Sequence, residues 1–559
     1  MLNTTIQNRS KHPRLSSDHV VPTHHLDTPE VAKFLESLDV GNVDKERLLF
    51  SIGNQLLTDR RNPAVRDFLV EYQCEVMDVS GIPTQAFDVL GSVYQYLNSK
   101  AENLERGTFY TGKEIALDIL DDLGFNSGET LFDPACGSGS FLFHSDAPAD
   151  KIFGVDFDPI AIMIAKFNYF IKFPTAPAPN LYCADFFVWY SSNSHLRFDY
   201  IIGNPPYGAN LDRSLIPSLH ISSGESFSYF MELGFNLLKE GGLLRYLVPE
   251  SLLNVKRHQD IRIFLLDHTN LLRIKRYQSK FAGVMSDVYL VEVDRNTSEV
   301  MTFVDEEKIC VPKSIFRELK NQIFTNLSQQ DITIIQKVNA IRKCDLSAST
   351  FGLGVVTGDN KSKLFAVPDK HAEPIYTGKE VQKYSLLPPR NYIIFDRQNL
   401  QQVAPEEIYR APEKLVYKTI SKQLKVAMDT TGALTSNSAN LFIPDMPGYD
   451  VITVMAFLNS RLYSYLNIKL FGGVNKVAKE NLMALPFPEL SDKQNDYIAE
   501  RAAEAQISGD DDVLQKFICV ELFGLSQTEI NYIDLLVNST SQRQTKAQRK
   551  DRQTTLTPF

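Results

Sequence analysis

Between residues 107 and 295, short β-prone runs alternate with helix-length stretches, and each run ends in a polar or Gly/Pro cluster. The runs are Thr130–Phe132, Ile152–Val155, Leu181–Cys183, Tyr200–Ile202 and Leu243–Val248. This alternation predicts a doubly wound, largely parallel α/β sheet. In such sheets ligands bind beyond the carboxyl ends of the strands, where the strand order reverses. The residues that carry chemistry are therefore expected at those ends.

The first cluster is Phe132-Asp133-Pro134-Ala135-Cys136-Gly137-Ser138-Gly139-Ser140-Phe141, a strand running into a loop of small residues that opens a helix. Glycines let backbone approach a ligand closely, and a helix N-terminus offers unpaired N–H groups. Such a loop can cradle a phosphate or a carboxylate. Asp133 would repel a pyrophosphate but can accept from a cationic amine, and no Gly-Lys-Ser/Thr is present to grip phosphates. A nucleoside without phosphates fits better. In Gly154-Val155-Asp156-Phe157-Asp158, Asp156 ends the next strand, at the offset where an acid accepts from both ribose hydroxyls. Asp158 reads equally well as the cap of a helix starting at Pro159. Asp185, before Phe186 and Phe187, is placed to accept from an adenine amine beside a phenyl face; taken alone, a capping or surface role is the simpler reading.

Asn204-Pro205-Pro206-Tyr207, after the strand Phe198–Ile202, is more specific. Two prolines hold the backbone so that the Asn side chain and the Pro205 carbonyl can point at one spot. They then present two acceptors to one amine. An exocyclic amino nitrogen is a poor nucleophile because its lone pair is delocalised into the ring. Acceptors on its hydrogens favour a pyramidal nitrogen and stabilise the positive charge that grows as it attacks. Neither a strong base nor a metal is required, and Tyr207 adds a ring on which a base can stack.

The formal net charge of −10 argues against indiscriminate nucleic-acid binding, yet phosphate contact depends on local charge. Residues 341–490 hold 18 Lys+Arg against 14 Asp+Glu, a balance of +4 that leaves −14 for the rest. No apolar run approaches the roughly 18 residues needed to cross a bilayer, and Met1–Ser17 is polar and basic, unlike a signal peptide. Six cysteines (74, 136, 183, 310, 344 and 519) include no C-x-x-C pair, which argues against a zinc site or a disulfide framework and fits a reducing cytoplasm.

Residues 1–27 are expected as a disordered tail and 28–104 as a small helical domain, with Val31, Phe34, Leu35, Leu38 and later Phe87, Leu90, Val93, Tyr94 and Leu97 at helical spacing. The sheet should occupy 105–300. A hinge near 296–345 is expected to lead into an irregular α/β domain over 345–490, then C-terminal helices over 491–537 and a disordered tail over 538–559. Tyr-Thr-Gly-Lys-Glu occurs at 110–114 and at 376–380, but nothing around the two copies matches.

In the order of these motifs the chain resembles the gamma-class adenine-N6 DNA methyltransferases of restriction–modification systems, with a TaqI-type target-recognition domain. Gly107-Thr108-Phe109-Tyr110-Thr111 stands upstream, and Ser228-Tyr229-Phe230-Met231 and Leu238-Lys239-Glu240-Gly241-Gly242 continue the pattern. The resemblance covers about 105–490 and is most specific in its catalytic half. It implies a Rossmann-like methyltransferase sheet, S-adenosyl-L-methionine as cofactor and double-stranded DNA with a specific recognition sequence as substrate. It implies that Thr108, Tyr110 and Thr111 touch the methionine part of the cofactor. Asp133, Ala135, Cys136, Gly137, Gly139 and Phe157 would line the same site, Asp156 would hold the ribose, and Asp185 with Phe186 the adenine. Asn204, Pro205, Pro206 and Tyr207 would act on a flipped-out base, with Phe281, in Lys280-Phe281-Ala282-Gly283, on its other face. In the recognition half, Gly354–Lys361, Tyr376–Glu380 and Lys414–Gln423 read as basic loops; Lys361, Lys363, Lys379, Lys418 and Lys422 are the candidate phosphate contacts. Leu458-Asn459-Ser460 and Leu485-Pro486-Phe487-Pro488 match the family's closing segments.

The rival readings are a methyltransferase of another amine, such as a protein glutamine or a ribosomal RNA base, and a DNA-specificity protein with a dead catalytic fold. A fused nuclease is not expected, because only Glu306-Glu307-Lys308 resembles half of such a motif. Any cutting activity is expected to reside in a separate polypeptide, a cognate restriction endonuclease where the system has one.

Overall fold

The computed structural model describes residues 29–38, 44–72, 74–84, 88–97, 111–208, 211–222, 225–277, 287–296, 300–304, 308–318, 327–368, 370–471 and 476–538, with 298, 321 and 323 besides. The chain divides into two compact units, Met1–Leu252 with Ile263–Ser298 and Leu253–Arg262 with Glu299–Phe559. Both expected disordered tails lie outside the described residues, except Asn538, which ends a helix over 527–538.

In the first unit seven strands stand in the order β3-β2-β1-β4-β5-β7-β6. They are β1 (Leu131–Asp133), β2 (Ile152–Asp156), β3 (Asn180–Cys183), β4 (Phe198–Gly203), β5 (Leu238–Pro249), β6 (Asn270–Tyr277) and β7 (Val288–Asp294). The pairings β2–β3, β1–β2, β1–β4 and β4–β5 are parallel. β7 runs antiparallel to both β5 and β6. The chain winds outward from β1 to β3 and then returns to the far side of β1 as β4. That reversal sets the crevice between the ends of β1 and β4, so Asp133 and Asn204 follow neighbouring strands.

The residues expected as a separate helical domain share one apolar core with the sheet. Their helices are α1 (Pro29–Ser37), α2 (Lys45–Leu56), α3 (Pro63–Tyr72) and α4 (Val89–Leu97). Val31, Leu49 and Val93 join the core that also holds Leu131, Leu142 and Met163. After α5 (Lys113–Leu120) and α6 (Ser140–His144), α7 (Pro159–Lys172) explains the merger. It is apolar nearly all round, burying Ile162, Met163, Ile164, Phe167 and Phe170, because it packs against the sheet and the N-terminal helices together. At Gly53 a Cβ would come within 2.5 Å of the Phe167 ring, so α2 lies directly against α7. Truncating a ring buried this way costs about 3–5 kcal/mol.

In the second unit the described residues of the segment expected as a hinge form strands and helices. β8 (Val300–Val304) and β9 (Lys308–Pro312) form an antiparallel pair, and a helix spans Gln329–Ala340. That helix is nucleated by a capping box between Ser328 and Asp331 and buries Ile332, Ile334, Ile335 and Val338. The strands are five residues each, too short for their alternation to stand out in sequence. β10 (Arg342–Cys344) then pairs antiparallel with Phe487–Pro488, which closes the module that lies between them. Inside it, Thr350–Gly352, Ala439–Ile443, Lys414–Lys418 and Val426–Asp429 form a four-stranded sheet in that order, beside a three-stranded sheet around Glu373–Tyr376. The expected C-terminal helices run over Asp492–Ser508, Asp512–Lys516 and 527–538, with one π-helical stretch at Phe517–Leu522.

Candidate functional site

The glycine loop leaves β1 at Asp133 and turns through Gly137 (φ +53°) and Gly139 (φ +86°), a backbone region that favours glycine. A Cβ at Gly139 would lie within 2.0 Å of the Phe143 ring, whereas one at Gly137 would meet nothing within 4 Å. The loop is pinned to β2: Cys136 N donates to Val155 O at 3.0 Å, and Gly137 N to Asp156 Oδ2 at 2.8 Å. Asp158 N donates to Asp156 Oδ1 at 3.0 Å. Burial pushes the Asp156 carboxyl up to about 6, against the pull of these N–H donors. Asp158 itself caps α7, accepting from Ile160 N and Ala161 N.

Asp133 is 1% exposed and accepts from Ala135 N at 3.0 Å. Burial raises its carboxyl well above the usual range, and the charge of Asp156 adds to the effect. A Cβ on Gly203, the last residue of β4, would stand 2.8 Å from Asp133 Oδ1, so this carboxyl covers the end of the neighbouring strand. Tyr246 on β5 pairs with Gly203, and its buried hydroxyl has no hydrogen-bond partner among the described residues.

Asn204 follows Gly203 directly. Its Nδ2 donates to Thr111 Oγ1 at 3.2 Å, and its Oδ1 accepts from the Tyr207 hydroxyl at 2.6 Å. Pro205 is buried; Pro206 O accepts from Ser226 Oγ at the start of α9 (Ser226–Asn236), tying the corner to that helix. The Tyr207 ring meets Phe227 edge-on at 6.2 Å, and burial raises its phenol far above the ordinary value.

Asp185 caps α8 (Phe186–Asn193), accepting from Phe187 N at 2.8 Å and Val188 N at 3.2 Å, and is otherwise exposed. Phe186 is 3% exposed and stacked on Phe230 at 4.7 Å, so the open phenyl face expected there is covered. Phe157, at the end of β2, is 52% exposed. The expected residues Thr108, Tyr110 and Phe281 lie outside the described residues. Thr111 was read from family pattern alone; no local signal marks it as a partner of Asn204. Asp88 was missed altogether, and no local signal marks it: its carboxylate reaches Ser138 and Ser140 across fifty residues of chain.

In the second unit the three basic loops converge on Ser436–Asn440, a segment the sequence did not single out. Gly354 N donates to Asn440 Oδ1 at 2.9 Å, Gly378 N to Ser438 Oγ at 3.0 Å and Thr419 N to Ser438 O at 3.1 Å. Lys361 and Lys379 are exposed, and Lys418 and Lys422 half-buried. Lys363 is committed elsewhere, donating to Thr357 O at 2.8 Å and to Asn399 O. Lys414 is fully buried and donates to the Asp429 carboxylate and to Tyr409 O, so it belongs to the core rather than to a basic surface. Among the described residues no helix is long and apolar enough to cross a membrane.

A largely parallel sheet whose first-unit strands run β3-β2-β1-β4-β5-β7-β6 with β7 antiparallel, and an Asn-Pro-Pro-Tyr corner beside a glycine loop at its carboxyl edge, define the Rossmann-like methyltransferase class. Within it, residues 150–281 match the family model of the Eco57I restriction-modification methylases, and residues 373–487 that of the TaqI-like C-terminal specificity domain. The chain is a DNA methyltransferase of a restriction–modification system. It is 25% identical over 355 residues to the type II methyltransferase M.VspI of Vibrio sp. (strain 343), covering 59% of this chain and 85% of that one. To M.BsuBI of Bacillus subtilis it is 22% identical, covering 52% of this chain and 65% of the relative. Among solved structures, the type IIL restriction-modification enzyme MmeI in complex with DNA shares the fold with a TM-score of 0.51 at 11% identity, covering 92% of this chain and 90% of that one.

Proposed function

We propose that the chain methylates N6 of adenine within a specific duplex sequence, with S-adenosyl-L-methionine as donor. The observation that carries this reading is the Asn204 amide, oriented from both ends at the edge of the crevice that Asp133 lines. Thr111 takes the amide NH2 and Tyr207 donates to the oxygen, which fixes Oδ1 as the accepting end of the amide.

The residues at the glycine loop fit the donor. Gly137 borders open space, Asp133 offers a buried carboxyl that a cationic amino group would hold in its ionised form, and Asp156 is fixed by backbone N–H donors beside the loop. Exposed Phe157 offers an aromatic face for an adenine. When bound, S-adenosylmethionine supplies a methyl group open to attack by an amine. The chain's own work is to hold that amine. Asn204 Oδ1 and Pro205 O accept from the two N6 hydrogens, which draws the lone pair out of the ring and stabilises the positive charge that develops. The target base must leave the helical stack to reach them, and Tyr207 gives it a face on which to lie. A cognate endonuclease would be a separate chain.

The specificity domain holds phosphates through the loops gathered at Ser436–Asn440, with Lys361, Lys379, Lys418 and Lys422 as the cations. Sequencing of DNA from cells expressing the protein, with detection of modified bases, tests the reading. N6-methyladenine in one sequence context supports it; methylated cytosine, or label from the cofactor entering RNA or protein instead, refutes it.

A further inference from the structure

One buried polar cluster joins the N-terminal helices to both turns assigned above to the cofactor. Asp88, immediately before α4, is 8% exposed and adopts φ +37°, a conformation unusual for a residue with a side chain. Its carboxylate accepts four hydrogen bonds. Oδ1 takes Gly91 N at 2.9 Å and Asn168 Nδ2 at 2.9 Å; Oδ2 takes Ser138 Oγ at 2.5 Å and Ser140 Oγ at 3.0 Å. Ser138 and Ser140 flank Gly139 in the glycine loop, and Asn168 also donates to Ser138 O at 2.9 Å. Ser138 is thereby held by both its hydroxyl and its carbonyl.

Two turns further along the same helix, the Tyr94 hydroxyl donates to Asp158 Oδ2. Asp158 N in turn donates to Asp156 Oδ1. A single helix thus grips the loop after β1 through Asp88 and the loop after β2 through Tyr94. Gly91 shows how tight the approach is, since a Cβ there would stand 2.2 Å from Asp88 Oδ2 and 2.6 Å from Ser138 Oγ. Glycine is a poor residue for a helix interior, and here its lack of a side chain is what admits the serine. Strained backbone of the Asp88 kind persists where the surroundings over-determine it.

We infer that Asp88 and Tyr94 are positioning residues for the cofactor: α4 sets the spacing of the two loops, so the N-terminal helices are part of the donor site rather than an accessory domain. This rests on the S-adenosylmethionine reading above. The two residues act on the donor through Ser138 and Asp158 and have no part in holding the target base.

The full-length protein tests this by calorimetry with S-adenosylmethionine and S-adenosylhomocysteine, on wild type, Asp88→Asn, Ser138→Ala, the double variant, Tyr94→Phe and Asp156→Ala. Asp88→Asn should weaken cofactor binding about tenfold, and Tyr94→Phe less. The Asp88→Asn/Ser138→Ala pair should be clearly less than additive, as for two residues sharing one interaction. The KM for cofactor should rise while kcat at saturating cofactor and the KM for DNA hold, a split that a general loss of folding would not produce. If Asp88→Asn misfolds, Ser138→Ala and Tyr94→Phe carry the same comparison. Wild-type affinity in these variants while Asp156→Ala is impaired would overturn the inference and leave the cofactor reading standing. Failure of the wild type to bind either cofactor would instead remove that reading, and this inference with it.

Discussion

The Tyr207 hydroxyl donates to Asn204 Oδ1 at 2.6 Å, three residues along one Asn-Pro-Pro-Tyr corner, so the ring proposed to stack on the base also orients the amide proposed to hold it. Replacing Asn204 with Ala should lower kcat by about a hundredfold or more, the scale for removing one group that stabilises developing charge. Cofactor affinity should stay within about twofold. Tyr207→Phe keeps the ring and loses only the donor, so its loss of kcat should be roughly tenfold. Steady-state and single-turnover methylation rates check both, and an Asn204→Ala enzyme with unchanged turnover would end the proposed role.

Thr111 holds the other end of the same amide, through its Oγ1. Thr111→Val preserves shape and removes that acceptor from the half-buried amide. The amide is then free to turn its nitrogen toward the base. A fall in kcat with cofactor binding little changed is expected; Thr111→Ser should restore activity.

The Asp156 carboxyl, raised to about 6, gives a pH dependence with two opposite signs. Protonation removes its charge as an acceptor for ribose hydroxyls, so cofactor affinity should fall as pH drops through about 6. Stability of the free protein moves the other way. A carboxyl whose folded value is raised contributes most below its unfolded value, and that contribution is lost as pH rises through about 6. Titrating wild type and Asp156→Asn by calorimetry and melting should show both trends in the wild type and flatten them in the variant.

Gly139→Ala should fold poorly. Its φ of +86° strains any side chain, and the new Cβ would stand within 2.0 Å of the Phe143 ring. The strain alone is worth about 1–3 kcal/mol, and the clash adds to it. Thermal melting measures the loss; Gly137→Ala, which meets no neighbour within 4 Å, should lose less.

Two lysines of the specificity domain should separate under salt. Lys379 is exposed, so Lys379→Ala should weaken DNA binding and reduce the slope of log K against log salt by about 1. The Lys363 ammonium is engaged by Thr357 O and Asn399 O. Lys363→Ala should therefore lower stability and leave the salt slope unchanged. Filter binding across a salt series distinguishes the two.

The parts legible in sequence are those set by local chemistry. The expected strand Ile152–Val155 ends at Asp156, Leu181–Cys183 at Cys183, and Tyr200–Ile202 at Gly203, because each buried parallel strand is a short apolar run stopped by a turn. Asp158 was expected as a helix cap and is one. The readings that failed depended on neighbours distant in the chain. Phe186 is covered by Phe230, Lys414 is drawn into the core by Asp429, and Val300–Val304 and Lys308–Pro312, within the expected hinge, pair with one another. A lysine or phenylalanine carries no local mark of the partner that will bury it.

By itself the sequence determined that this chain winds a parallel sheet whose strand ends bear a glycine loop, two acids and an Asn-Pro-Pro-Tyr corner. Each of those follows from residues within a few positions of one another, where backbone restriction and apolar run length act directly. Only the tertiary structure decided that Thr111 orients Asn204, that Asp133 covers Gly203, and that Asp88 and Tyr94 reach from one N-terminal helix to both loops. Those contacts join residues 50 to 93 positions apart. Hydrogen-bond partners at such distances are chosen by how the layers pack, which no local pattern encodes.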